Sequence, residues 1–356
     1  MTFQLKTWVM AAAIAMTSAA QATTVVAGVG ETIELHGGVG AAPSINRSVE
    51  VTLQSARSTF FFSNGDADPS APPPAKLISV GGVVGALNVS KSMPTPVDGA
   101  FMTVADLPVT WRLWPYRAIV NMASDVTGLV TDADTGVFSG VMGRGGVKLS
   151  APFDPDLEAG GVVTVQNLRV DLLQGLVFAD LSGAPLVSAD LSAPVYGSEV
   201  IYSGAMWRIG SISGPTSLPP AAVLAGLDGD RSDLAELGYE WLTTKNLVVD
   251  GASVVQHTVR ATSKLGALTV TDEGFAAFAD ALGMDEGGTG RATLAAANRY
   301  AAGWGTLKLD LVFNLVEGPK LPLPPAVTAV PEPEVFVLLC VGLLGVAGHA
   351  RRSRVQ

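Results

Sequence analysis

The sequence predicts an all-β protein: an antiparallel β-sandwich or flattened barrel with a few short helices, plus a C-terminal transmembrane helix. Three observations lead there. The 356 residues include 40 glycines and 22 prolines, which cut the chain into many short elements. Apolar residues make up 48% of the chain, enough for a packed core and too many for a disordered one. Between the punctuating residues, apolar and polar side chains alternate with the period of two that a half-buried strand requires.

Taken from the N-terminus, Lys6 supplies a positive start, residues 8–16 (WVMAAAIAM) an apolar run, and Ala20-Gln21-Ala22 an A-x-A site. This reads as a signal peptide over residues 1–22, cut between Ala22 and Thr23, with the Sec translocon and signal peptidase as its partners. The secreted β-rich region is expected over 23–316. Val49, Val51 and Leu53 mark an early strand. Residues 64–76 (NGDADPSAPPPAK) form a Pro-rich surface loop or a boundary. Trp111-Arg112-Leu113-Trp114-Pro115-Tyr116 is the densest aromatic cluster. Trp111, Trp114 and Tyr116 are candidates for stacking on sugar rings, with core or inter-domain packing as the alternative.

Further along, residues 137–149 (VFSGVMGRGGVKL) predict a glycine-broken strand pair. Residues 162–172 and 176–181 predict a hairpin around Gln174-Gly175. The region forms one large domain or two similar sandwiches split near 196–219. Three helices are expected. The first spans 221–227, after Ser217, Pro219 and Pro220. The second spans 233–242, with Leu234, Leu237 and Trp241 inward. The third is capped by Asp272, carries Phe275, Phe278, Ala279 and Leu282 on one face, and ends at Gly283. Leu307, Leu309, Leu311, Phe313 and Leu315 alternate with Lys308, Asp310, Val312 and Asn314, which predicts a strand with one apolar face. Residues 317–330 (EGPKLPLPPAVTAV) follow as a stiff Pro-rich linker.

The last segment, 331–356, has three parts in order: Pro331-Glu332-Pro333, an apolar run over 335–348 (VFVLLCVGLLGVAG), and the basic end Arg351-Arg352-Ser353-Arg354. The run is near the lower length limit for a transmembrane helix. Arginines favour the cytoplasmic side, which leaves the rest of the protein outside. The two prolines keep the motif extended at the outer face, accessible to a protease cleft. This trio resembles the PEP-CTERM sorting domain, and the resemblance covers about the last 27 residues. It implies processing by an exosortase, an integral-membrane cysteine protease, in a Gram-negative bacterium that makes extracellular polysaccharide. It implies a route and not an activity. A permanent C-terminal anchor is the plainer alternative.

Composition narrows the function classes. Net charge is −10, and removing Lys6, Arg351, Arg352 and Arg354 with the two ends leaves a still more acidic product. Such a surface repels nucleic acid and anionic lipid. The single cysteine, Cys340, falls in the apolar tail, so no disulfide is expected in the exported part. No H-E-x-x-H, P-loop or C-x-x-C motif occurs. Gly210-Ser211-Ile212-Ser213-Gly214 has isoleucine where a nucleophile elbow needs serine, and Gly143-Arg144-Gly145-Gly146 is a turn. His36 and His257 are the histidines of the exported part, and His257 shares a strand face with Val255 and Val259, as a core histidine would. Asp66-Ala67-Asp68, Asp132-Ala133-Asp134 and Asp228-Gly229-Asp230 read as solvated turns, with weak calcium binding as the alternative.

No catalytic, cofactor or metal residue is therefore assigned. The expected protein is non-enzymatic: an exported cell-surface or extracellular-matrix protein, passing through an inner-membrane intermediate and associated with extracellular polysaccharide. The alternatives are a secreted polysaccharide-acting hydrolase and a small-ligand carrier for haem or metal.

Overall fold

A computed structural model of the chain describes residues 24–33, 49–63, 82–107, 116–133, 135–188, 193–219, 232–249, 251–299 and 302–317. Its strands are β1 (Thr24–Ala27), β2 (Thr32–Ile33), β3 (Val49–Phe62), β4 (Met93–Val97), β5 (Phe101–Leu107), β6 (Tyr116–Asp132), β7 (Phe138–Arg144) and β8 (Gly146–Asp154). They continue with β9 (Ala159–Asp171), β10 (Leu176–Pro185), β11 (Val200–Arg208), β12 (Ser211–Ser213), β13 (Tyr239–Val249), β14 (Ala252–Gly266), β15 (Thr269–Val270) and β16 (Gly305–Glu317). Four helices are described: α1 (Gly82–Val89), α2 (Ser232–Glu236), α3 (Asp272–Ala281) and α4 (Thr289–Ala297).

All the strands belong to one antiparallel sheet that runs β12-β14-β16-β3-β6-β7-β9-β10-β11-β15. The two ends of that path are the same pair of chain segments. β11 continues into β12, and β14 into β15. Trp207 pairs with Val270, the Gly210 N–H donates to Gly266 O at 3.1 Å, and Ile212 pairs with Leu265. The sheet therefore closes on itself as a barrel, which is the second of the two architectures the sequence allows. Closure removes the edges along the ring, while β4, β5 and β13 branch from it with one partner each. The segment 196–219, where a split between two sandwiches is expected, contains β11, which is hydrogen-bonded to β10 on one side and β15 on the other. The sheet passes through it without a break.

Period-two patterning decides which side chains enter the barrel. Leu307, Leu309, Leu311, Phe313 and Leu315 of β16 are each at most 2% exposed, while Lys308 and Asp310 face outward. The β9–β10 hairpin forms about Gly175 with Leu176 opposite Asp171. The glycine-broken strands expected over 137–149 are β7 and β8, with the break at Gly145. β7 and β8 do not pair with each other; both run along β9. Gly145 has φ +92°, and a β-carbon on Gly146 would lie 2.0 Å from Val165 O. Only glycine allows that approach.

One end of the barrel is closed by aromatic rings and helices. Phe60 and Trp207 lie 5.4 Å apart, Trp207 and Trp304 6.3 Å, and Phe278 of α3 meets Trp304 edge-on at 5.3 Å. Toward the other end, Phe138 stacks on Phe313 at 5.8 Å. α3 packs on β9, β10 and β11, and α1 on α4 and β6. The cap of α3 is Thr271 and not Asp272. Thr271 is extended, and its Oγ1 accepts from the Gly274 N–H at 3.1 Å. Asp272 and Glu273 occupy the first turn, where the helix dipole favours acids. Gly283 follows the helix with φ +65°, as expected of a terminating glycine.

The helix expected over 233–242 is also corrected. α2 stops at Glu236, Gly238 turns the chain at φ +83°, and Trp241 lies in β13. Leu234 is buried at 1% exposure, but Leu237 is 44% exposed. The helix expected over 221–227 and the loop over 64–76 lie outside the described residues.

α1 is held by a reciprocal pair of buried hydrogen bonds. Asn88 Nδ2 donates to Arg117 O at 2.9 Å, and the Arg117 N–H donates to Asn88 Oδ1 at 2.8 Å. Asn88→Ala leaves both backbone groups buried without a partner. The expected loss is about 1–3 kcal/mol, read from the midpoint and slope of urea denaturation.

Candidate functional site

The sequence-predicted site residues fall mostly outside the described part. Ala20, Ala22, Thr23, Trp111, Trp114, Pro331, Glu332, Pro333, Arg351, Arg352 and Arg354 all lie there, as do His36, Asp66, Asp68, Asp228 and the apolar run 335–348. Tyr116 opens β6 opposite Leu107. Among the described residues no helix is long and apolar enough to cross a membrane, and no group of three His, Cys, Asp or Glu side chains comes together as a metal site. His257 is 2% exposed, with Nδ1 2.8 Å from Thr244 Oγ1, a buried and partnered ring.

Inside the barrel, under α1, α3 and α4, lies an apolar cavity of about 40 Å³, walled by Phe60, Met122, Trp207, Phe278, Leu294 and Trp304. The indole N–H groups of Trp207 and Trp304 have no partner. The space is small and apolar. Pockets for drug-sized ligands run to roughly 300–1,000 Å³.

The outer face is different. Residues in register across strands project to the same side, so the pairings define rows. In one row, Thr103 of β5, Asn121 of β6 and Phe61 of β3 are neighbours. In the next stand Phe101, Ala123, Thr59 and Lys308. In the third, Arg144, Asp125, Arg57, Asp310 and Thr262 alternate in charge across β7, β6, β3, β16 and β14. The fourth holds Ser55, Val312, Arg260 and Glu240.

Apart from Arg144, the third and fourth rows, with Lys308, line a groove of about 640 Å³. A bulge at Gln54, which has no partner between Val312 and Phe313 of β16, bends β3 beside it. Arg260 Nη1 lies 2.7 Å from Glu240 Oε2, Lys308 Nζ 3.0 Å from Asp310 Oδ1, and Thr262 Oγ1 donates to Asp310 at 2.8 Å. Among the described residues, the side chains of Arg57 and Asp125 have neither a hydrogen-bond nor an ion-pair partner. Exposed pairs of this kind contribute little to stability. Above the groove, Phe101 is 68% exposed, Ile119 45% and Phe61 38%.

A second polar cluster, on β9, β10 and β11, is structural. Asp180 accepts from Ser203 Oγ at 2.7 Å, Asn167 Nδ2 at 3.0 Å and Arg169 Nη2 at 3.1 Å. The Ser203 and Asn167 hydrogen bonds hold the Asp180 carboxyl below its ordinary range, against burial, with help from Arg169. The Lys91 hydrogen bond does the same first for Asp154. A folded-state pKa below the unfolded one gives stability that is complete above about pH 4–5 and is lost as pH falls through the folded value. The urea midpoint is therefore expected to drop as pH falls below about 5, and Asp180→Asn to flatten that limb.

A family model for the PEP-CTERM protein-sorting motif matches residues 329–352. The chain carries a PEP-CTERM sorting signal. The match spans Pro331-Glu332-Pro333, the apolar run, and Arg351 and Arg352. The PEP-CTERM signal identifies an exported protein, sorted by an exosortase to the cell envelope or surface. No curated protein and no solved structure matches this PEP-CTERM protein.

Proposed function

We propose that the chain is a non-enzymatic cell-surface or extracellular-matrix protein, carried by the Sec translocon and trimmed by signal peptidase. It is held at the inner membrane by its C-terminal segment, released by an exosortase and retained with extracellular polysaccharide. The observation that carries this reading is the sorting motif at 329–352. The placement of the barrel supports it. β1 begins at Thr24, next to the expected Ala22-Thr23 cut, and β16 ends at Glu317, where the Pro-rich linker begins. Both addresses can be removed without cutting a described strand.

Mass spectrometry of protein from host cells tests the route. A chain starting at Thr23, ending near Pro331 and co-fractionating with the polysaccharide until that polymer is digested is the expected result. A chain ending at Gln356 and free of polymer refutes the reading.

A polysaccharide-acting hydrolase is the second reading, favoured by three carboxylates, Asp125, Glu240 and Asp310, along one groove. Turnover of a glycan that disappears on changing one of the three supports it over the first. A haem carrier is disfavoured by the small size of the interior cavity.

A further inference from the structure

We infer that the outer face formed by β5, β6, β3, β16 and β14 is a docking surface for an uncharged polysaccharide chain, with Phe101 and Phe61 under the sugar rings and Asn121, Arg57 and Asp125 on their hydroxyls. This rests on the polysaccharide-associated reading above and assigns it a site.

The face combines two chemistries that a sugar needs together. A pyranose ring has an apolar side, which an exposed aromatic ring covers, and a rim of hydroxyls, which forked polar groups bind. Phe101 and Phe61 are both exposed. They lie on strands separated by β6 and are one row apart. Strand spacing places their α-carbons roughly 12 Å apart, so a chain crossing β6 can lie on both. Between them stand small or polar residues, Ala123 and Asn121, which leave room for a ring and offer an amide. The next row supplies a guanidinium and a carboxylate with no protein partner, Arg57 and Asp125, side by side across β3 and β6.

The charge pattern selects the polymer. The groove holds three cationic groups, Arg57, Arg260 and Lys308, against three anionic ones, Asp125, Glu240 and Asp310. A polyanion would gain from the first set and lose to the second, on a protein whose net charge is −10. An uncharged polymer meets both as hydrogen-bonding groups. A hydrophobic protein partner fits less well, because the aromatic positions open directly onto a charged groove.

The test uses the full chain in affinity gel electrophoresis with immobilised uncharged polymers (a β-glucan, an α-glucan and a galactomannan) and with a polyuronate. At least one uncharged polymer is expected to retard the protein, and the polyuronate is not. The double variant Phe101→Ala, Phe61→Ala should weaken that binding by roughly tenfold or more, and Arg57→Ala or Asp125→Asn should weaken it severalfold. All four positions are exposed, so the variants should melt with the parent, and C-terminal processing should be unchanged. Loss of processing would strike the sorting reading and leave this one standing. Three results overturn the inference: no uncharged polymer binds, the double variant binds as well as the parent, or sedimentation detects a dimer that the double variant abolishes, which gives the face to a second copy.

Discussion

Replacing Pro331, Glu332 and Pro333 together by alanine is expected to stop release almost completely, with at least a roughly tenfold fall in the extracellular fraction and full-length chain accumulating in the membrane fraction. The physical reason is conformational as well as chemical. Proline disfavours helix at its own position and at the residue before it, and a protease cleft takes an extended substrate. Alanine, the best helix former, removes that barrier to helix growth. Replacing Arg351, Arg352 and Arg354 by asparagine is a separate perturbation. It leaves the Pro-Glu-Pro motif intact but removes the positive charge that, by the positive-inside rule, favours a cytoplasmic end. Immunoblots of fractionated cells separate the two: a membrane-bound, uncut product for the first, and a mislocalised one for the second. Normal release of the triple alanine chain would refute the role given to the motif.

Trp304→Ala carries the largest expected effect on stability. Trp304 is 2% exposed and joins the helical cap to the barrel through Phe278 and Trp207. Deleting the indole opens a cavity next to one that already exists, and the expected loss is about 3–5 kcal/mol. Trp304→Phe should cost less than half as much. It keeps an aromatic ring in the cluster and removes a buried N–H that has no partner, whose burial itself costs about 1–3 kcal/mol. Urea denaturation of the two variants beside the parent measures both values. Equal losses would mean that the indole N–H has a partner, and so contradict the orphaned donor.

The elements that could be read from the sequence are those whose signal is local. β16 announces itself through five alternating apolar residues, and the β9–β10 hairpin through a glycine turn between two such runs. Closure of the ring could not be read, because it depends on β11 and β12 meeting β14 and β15, and β12 is three exposed residues. α1 (GVVGALNV) and α4 (TGRATLAAA) lack a clean apolar stripe, and glycines lower their helix propensity; they form because the barrel mouth gives them a surface to cover. β4 carries Pro94 and Pro96, which demote it as a strand, yet it pairs only with β8 and so tolerates them. The Asp98-Gly99 turn that follows, with both residues at positive φ, is the local signal that could have revealed it.

The candidate face was hidden for a related reason. Lys308 and Asp310 are legible as the polar half of an alternating run, but nothing in that run says that Arg57, Asp125 and Asn121 stand beside them. Register between strands from distant parts of the chain places them there. Trp111 and Trp114, the aromatic pair that composition singles out, lie outside the described residues, whereas Phe101 and Phe61 became candidates through their exposure.

The position of β16 in the ring has a consequence for export. It is the last of the described strands, yet it sits between β14 and β3 and joins the late third of the chain to the early third. The wall therefore lacks a stave until the chain through Glu317 has been exported, and such distant pairing zips slowly. A chain that cannot finish folding early stays threadable throughout its passage. On the route proposed above, the barrel closes once β16 has been delivered to the far side.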